Sequence, residues 1–303
     1  MPWQALLGPQ SRLDATLALD AWYAQLRERA GSATPFQQAV LGGRLAATPG
    51  LAFFAGYQAA LRALWPSAPD GPGGLCVTEQ RRLRPADQHT RLEGLQLRGE
   101  KDFVTGGTAA QWLLVSGRDE SAGEAAHLSL CVVHVGDPGV TLAPGPQLPL
   151  LPDVPHARLR LTDAPCERLA GDGWEDYVKP FRTLEDVHVL AALAAWLYGV
   201  SLEQSWPGAL SLRLAALLAG LGEAARGPVR APQTHVLLAG LNATFDALAV
   251  ELDRALGDSP HGVAWRRDRA VLALAGEARA RRLEKALAAC GLDLGLAGPV
   301  AAR

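Results

Sequence analysis

Cysteine is sparse and unpatterned in this chain. Cys76, Cys131, Cys166 and Cys290 stand far apart with no CxxC pair, which argues against a tight disulfide framework or a thiolate zinc site and reads as reduced thiols. The seven histidines show no HxH or HExxH spacing, so no metal centre is expected. No GxGxxG turn, Walker A loop or GxSxG elbow occurs, and with them go the Rossmann, P-loop and α/β-hydrolase chemistries. Positive charge is not in excess: Lys and Arg total 29 against 31 Asp and Glu, a net charge of −2, which points away from nucleic acid and from anionic membrane surfaces. The first twenty residues acquire acids early and lack the basic-then-apolar order of a signal peptide. The longest apolar run, 187–200, is interrupted by His188 and is too short to span a bilayer. These absences lead to the expectation of a cytoplasmic globular protein with no membrane span.

What is present is an ordinary globular composition, 49% hydrophobic and 20% charged over 303 residues, enough for roughly two domains and a sizeable core. Leu13, Leu17, Trp22 and Leu26, then Leu51, Phe54, Tyr57 and Leu61, recur at helical spacing. Pro66 and the Gly/Pro-rich stretch 67–74 end that pattern. From 75 to 169 the runs alternate and carry β-branched residues, separated by Gly, Pro and Asp, which predicts a compact antiparallel β-unit of six or more strands. Four apolar-periodic segments follow at 183–200, 208–225, 232–256 and 265–289, punctuated by Pro207, Pro232 and Pro260. The predicted fold is α+β in three parts: N-terminal helices over 1–70, a β-barrel-like middle domain over 71–172, and a C-terminal four-helix bundle over 173–303.

A β-domain between two helical blocks is uncommon, and three segments give it a family likeness. CVTEQ at 76–80 resembles the opening of the middle domain of acyl-CoA dehydrogenases, where an apolar pair is followed by Thr-Glu-Pro. The stretch 92–120 resembles the family's strand pair leading through Asn-Gly-x-Lys to an aromatic and Thr-Asn-Gly. Here it reads Arg98-Gly99-Glu100-Lys101 and Phe103-Val104-Thr105-Gly106-Gly107. The stretch 157–186 resembles the family's exit from the β-domain into the first bundle helix. Gln80 stands in place of the family's Pro, and RRLRPAD at 81–87 in place of a Gly-Ser-Asp run.

The resemblance implies FAD held between β-domain and bundle, with Val77, Thr78, Phe103 and Thr105 at the flavin. It also implies α,β-desaturation of an acyl-CoA in fatty acid metabolism and a homodimer or homotetramer. Fixed donors beside the flavin would favour its reduction. A carboxylate must remove the weakly acidic α proton, which requires desolvation to raise its pKa. Glu185 fits the family position at the start of the first bundle helix, with Asp186 one residue away. The same residues also read as a cap, since Thr183 followed by Asp186 makes a capping-box-like pair. A descendant that keeps the fold as a binding or assembly module is the alternative function. Arg81, Arg82, Arg84 and Arg91 read either as a solvated loop face or as contacts to CoA or FAD phosphates. Arg279, Arg281 and Arg282 read as the polar face of the last helix, and His188 as a core or rim histidine.

Overall fold

Threonine and proline set the starts of two helices ahead of the sheet. In the computed structural model, which describes residues 3–119 and 127–295, the Thr34 hydroxyl accepts the Gln37 amide while the Gln37 side chain accepts the Thr34 amide. This reciprocal cap opens helix α3 (Pro35–Leu45). Thr48 caps the Leu51 amide at the start of α4 (Pro49–Leu64), and both helices carry proline in the first turn, where no amide donor is needed. Ahead of them lie α1 (Trp3–Leu7) and α2 (Leu19–Ala30). Leu13 and Leu17 precede α2 rather than belonging to a helix, although Leu13 is buried.

The strands are β1 (Gly73–Cys76), β2 (Arg91–Glu93), β3 (Gln96–Thr105), β4 (Trp112–Asp119), β5 (Leu128–His134), β6 (Val140–Pro144), β7 (His156–Pro165) and β8 (Glu167–Arg168). They form one curled sheet in the order β6-β7-β3-β2-β4-β5-β8, with β1 also on β4. Most pairs are antiparallel as expected, but β1 and β2 run parallel to β4 along successive parts of it. Chain direction explains this: β3 reverses β2, β4 reverses β3, and so β4 runs the way β2 does. Alternation along β4 and β5 divides the core. Trp112, Leu114, Leu130 and Val132 face the helices, whereas Leu113, Val115, Cys131 and Val133 pack inside the curl against Leu97, Val104, Leu159 and Leu161. Burial on both faces is why these strands read as nearly continuous apolar runs.

A π-helical turn (Gly173–Val178), capped by Asp172 on the Trp174 and Glu175 amides, leads into the long helix α5 (Lys179–Glu203). Helices α3 and α4 meet α5 backbone to backbone. A Cβ on Gly43 would lie 2.0 Å from the Ala192 carbonyl oxygen, and one on Gly56 2.7 Å from that of His188.

Beyond α5 come α6 (Gly208–Arg226), α7 (Pro232–Ala247), α8 (Ala249–Leu256), α9 (Pro260–Asp268) and α10 (Gly276–Cys290). Helix α6 is long and apolar enough by composition to cross a bilayer. Its stripe Leu210, Leu214, Leu217, Leu218 and Leu221 is buried in the helical core. The third expected segment is bent by 43° between α7 and α8, just after Asn242 and Thr244 bond back to the carbonyls of Leu238 and Gly240. Such back-bonding bends helices. The fourth segment is interrupted by a 3₁₀ stretch (Arg269–Ala273). There Asp268, fully buried, accepts the Leu151 amide at 2.7 Å and ties the end of α9 to a distant loop.

Candidate functional site

The site begins with an irregularity in β3. The register against β7 shifts between Lys101 and Val104, a bulge that turns both Lys101 and Val104 inward, while Phe103 and Thr105 remain half-buried on the outer side. Bulges re-aim side chains in this way beside functional sites. Phe103 meets His156 edge to face at 6.3 Å. The Thr78 carbonyl accepts the Asp102 amide at 2.9 Å, so half-buried Thr78 lies beside the bulge. Val77 is 7% exposed and has its side chain in the fold. Thr78, Phe103 and Thr105 therefore form a shelf at one end of the sheet, with an aromatic surface and hydroxyl donors.

Tyr57 joins this shelf to α5. Its phenol oxygen accepts the Leu75 amide at 2.8 Å and lies beside the Thr105 hydroxyl and within electrostatic reach of Glu185, and burial raises its pKa. Phe53 stacks on it at 6.3 Å and Phe181 meets it edge-on at 5.6 Å.

Glu185 is half-buried and opens into a cavity of about 440 Å³ between α5, α10 and the 3₁₀ stretch. Loss of hydration, reinforced by the Asp186 charge and opposed by Arg182 and Arg282, pushes its carboxyl up to about 7. Helix α5 starts at Lys179, so Thr183 and Asp186 lie inside it and the capping reading of this pair fails. Asp186 instead crosses to α10, where Arg279 lies 3.4 Å away and Arg282 closer still. Arg279 and Arg282 are thus docking groups rather than a solvated face. Burial raises the Asp186 pKa, and Arg282, Arg279 and Arg182 oppose that rise.

A second cavity, of about 670 Å³, shares Arg182, Arg281 and Arg282 with the first. Nine Arg and Lys side chains line it against two acids, Asp87 and Glu175. They come from the loop after β1 (Arg81, Arg82, Arg84), from α5 (Lys179, Arg182) and from α10 (Arg281, Arg282, Lys285), with Arg230 completing the set. A groove of this charge suits a multiply phosphorylated ligand.

The loop is held from below. Lys101, fully buried, donates to Glu79 at 2.5 Å, Gln88 at 2.7 Å and Ser116 at 3.0 Å. Glu79 also accepts the His89 and Thr90 amides. Burial would raise the Glu79 pKa, but Lys101 and those amides outweigh it and hold it low. The turn above is tight: Glu79 and Arg82 exchange both backbone hydrogen bonds across Gln80 and Arg81, whose φ values are +47° and +63°. Asp102 secures it by accepting the Arg81 amide at 2.7 Å.

Of the residues named from sequence, Thr78, Phe103 and Thr105 share the shelf, and Glu185 lies near it through Tyr57. Among the described residues no group of His, Cys, Asp and Glu is arranged to hold a metal ion. Tyr57 was legible only as a helical core position, because its role depends on β1 and β3 arriving beside it. The α10 arginines carry an i, i+3 spacing that becomes meaningful only when Asp186 is placed opposite.

No family model and no curated protein matches the sequence. Solved structures match the fold. FkbI, for biosynthesis of the methoxymalonyl extender unit of the polyketide Fk520, superposes with a TM-score of 0.67 at 17% identity over 96% of this chain and 98% of that one. An acyl-CoA dehydrogenase from Geobacillus kaustophilus gives 0.58 at 15% identity over 91% and 90%. The FAD complex of PigA gives 0.57 at 13% identity over 90% and 85%.

Proposed function

We propose that this chain, which has the acyl-CoA dehydrogenase fold, is an FAD-dependent dehydrogenase that desaturates an acyl thioester between its α and β carbons. The observation carrying this reading is Glu185: a half-buried carboxyl with a pKa of about 7, open to a cavity and joined through Tyr57 to the Thr78–Phe103–Thr105 shelf.

The residues fit the flavin. The bulge leaves an aromatic ring and a threonine on the outer face of β3, with Thr78 beside them, as a flat ring with polar edges requires. FAD, when bound, would supply the hydride acceptor. Thr105 and Thr78 would hold the ring by its polar edges, Phe103 would pack against it, and the backbone at Val77 would border it. Glu185 takes the α proton on a carboxylate oxygen; at neutral pH a substantial fraction is ionised and the conjugate acid remains accessible. Asp186, held by Arg279 and Arg282, keeps a negative charge beside Glu185 and so sustains its basicity. The Arg81–Arg84 loop and α10 bind the phosphates of the carrier, with the thioester directed toward Glu185.

The test is spectral. The purified chain with added FAD should show a retained flavin band that bleaches on adding acyl-CoA. Glu185→Gln should keep the band and slow bleaching by about 10²–10⁴-fold. A colourless protein that cannot be reconstituted would leave a binding or assembly module, and unchanged bleaching in the variant would remove Glu185 from the reaction.

A further inference from the structure

A third cavity, of about 540 Å³, lies away from the shelf and the groove, among the N-terminal helices, α5 and α6. Its size falls within the range of small-molecule sites, roughly 300–1,000 Å³. Trp3, Leu6, Phe36 and Ala225 give it an apolar, largely aromatic wall. Trp3 and Phe36 meet edge to face at 6.3 Å. Gly222 keeps the wall open, since a Cβ there would lie 3.1 Å from the Phe36 ring.

The polar groups on this wall are nearly all committed elsewhere. Arg62 donates to the Tyr23 hydroxyl and to the carbonyls of Ala68, Pro69 and Gly71. Arg226 pairs with Glu223 on its own helix. His188 differs. It is 2% exposed, forms part of the wall, and meets Phe36 edge to face at 6.4 Å. Its Nδ1 bonds the Leu184 carbonyl at 2.7 Å. A carbonyl can only accept, so Nδ1 carries the hydrogen and Nε2 presents a lone pair. No hydrogen bond to Nε2 is formed among the described residues. Burial holds the imidazole pKa down at about 4, so the ring is neutral at ordinary pH. With His188 on the cavity wall, Nε2 offers an acceptor that a ligand carrying a hydrogen-bond donor can fill.

We propose that this cavity is a second ligand site, separate from the dehydrogenase centre, which takes a neutral apolar molecule bearing one hydroxyl, a phenol being the best match, with the hydroxyl donating to His188 Nε2 and the ring packed against Trp3 and Phe36. The aromatic wall favours an aromatic ring over an alkyl chain. Among the described residues, the two cations on the wall, Arg62 and Arg226, are already paired, which disfavours a carboxylate.

The test compares 4-methylphenol with toluene on the full chain labelled with ¹⁵N-histidine. The phenol should bind saturably, at least about tenfold tighter than toluene, the ratio expected for about 1.4 kcal/mol from one hydrogen bond. It should also shift the His188 Nε2 resonance, which toluene should not. His188→Phe should reduce the phenol to toluene's affinity and leave toluene unchanged. Equal affinities in the wild-type chain, or an unmoved Nε2 resonance, would overturn the proposal even if the variant failed to fold. Neither outcome depends on FAD, so failure here is distinguishable from failure of the dehydrogenase reading.

Discussion

At the scale of single residues, the pKa on which the proposed role of Glu185 rests also makes a stability prediction. Its folded pKa of about 7 lies above the unfolded value of 4.5. Between those values the folded chain holds the extra proton, so this group's contribution to stability falls as pH rises through the window and levels off above about 7. Glu185→Gln should therefore be more stable than wild type above that window, by about 1–3 kcal/mol, and equal below it. Urea titrations across the window would show the two curves converging at acid pH, and parallel curves would contradict the assignment. Tyr57→Phe removes the phenol beside Thr105 and Glu185 and the acceptor of the Leu75 amide. It should cost about 1–2 kcal/mol and shift the pH profile of flavin reduction, whereas a purely structural tyrosine would change stability alone.

At the scale of elements, the β1–β2 loop holds left-handed backbone and the helix crossings depend on close approach at glycine. Gln80 and Arg81 occupy the two left-handed positions of a tight turn that glycine and asparagine fill most easily. Arg81→Gly should stabilise the chain by up to about 1 kcal/mol while weakening anion binding, a sign reversal that thermal melts and ligand titration would reveal together. The Lys101–Glu79 pair below is buried, so Lys101→Met should cost about 3–5 kcal/mol by leaving Glu79 uncompensated. The double change with Glu79→Leu should recover much of that in denaturant unfolding. Gly43→Val would drive a side chain into the Ala192 carbonyl and separate α3 from α5, at about 3 kcal/mol.

At the scale of the whole molecule, a net charge of −2 conceals a groove with nine cations and two acids. Arg84→Glu and Lys285→Glu should each weaken binding of coenzyme A severalfold at low salt. The difference should shrink as ionic strength rises toward and past 0.1 M, where the Debye length is about 10 Å. Calorimetry at two salt concentrations would test this, and salt-independent affinity would place the carrier elsewhere. Leu212, Val250 and Leu274 on the bundle side are 72%, 70% and 74% exposed. Self-association into the expected homodimer or homotetramer should bury such side chains, and light scattering would detect it.

The residues alone were sufficient for the helix–sheet–helix order, because proline and threonine at helix starts, period-two alternation in strands and the 3.6-residue stripe are local properties. Likeness to a family's motifs nominated Val77, Thr78, Phe103, Thr105 and Glu185 as candidates, and of these Thr78, Phe103 and Thr105 lie together at one end of the sheet. Tertiary structure decided the rest. The bulge that leaves Phe103 and Thr105 on the outer side exists only against β7, and the break at Asp268 is tied to a distant loop amide. Glu185 and Asp186 look like capping acids in one dimension. They become a carboxyl of raised pKa and an ion-paired neighbour only when α10 and the aromatic residues of α4 exclude water around them, because a pKa is set by what surrounds the carboxyl and not by what flanks it in the chain.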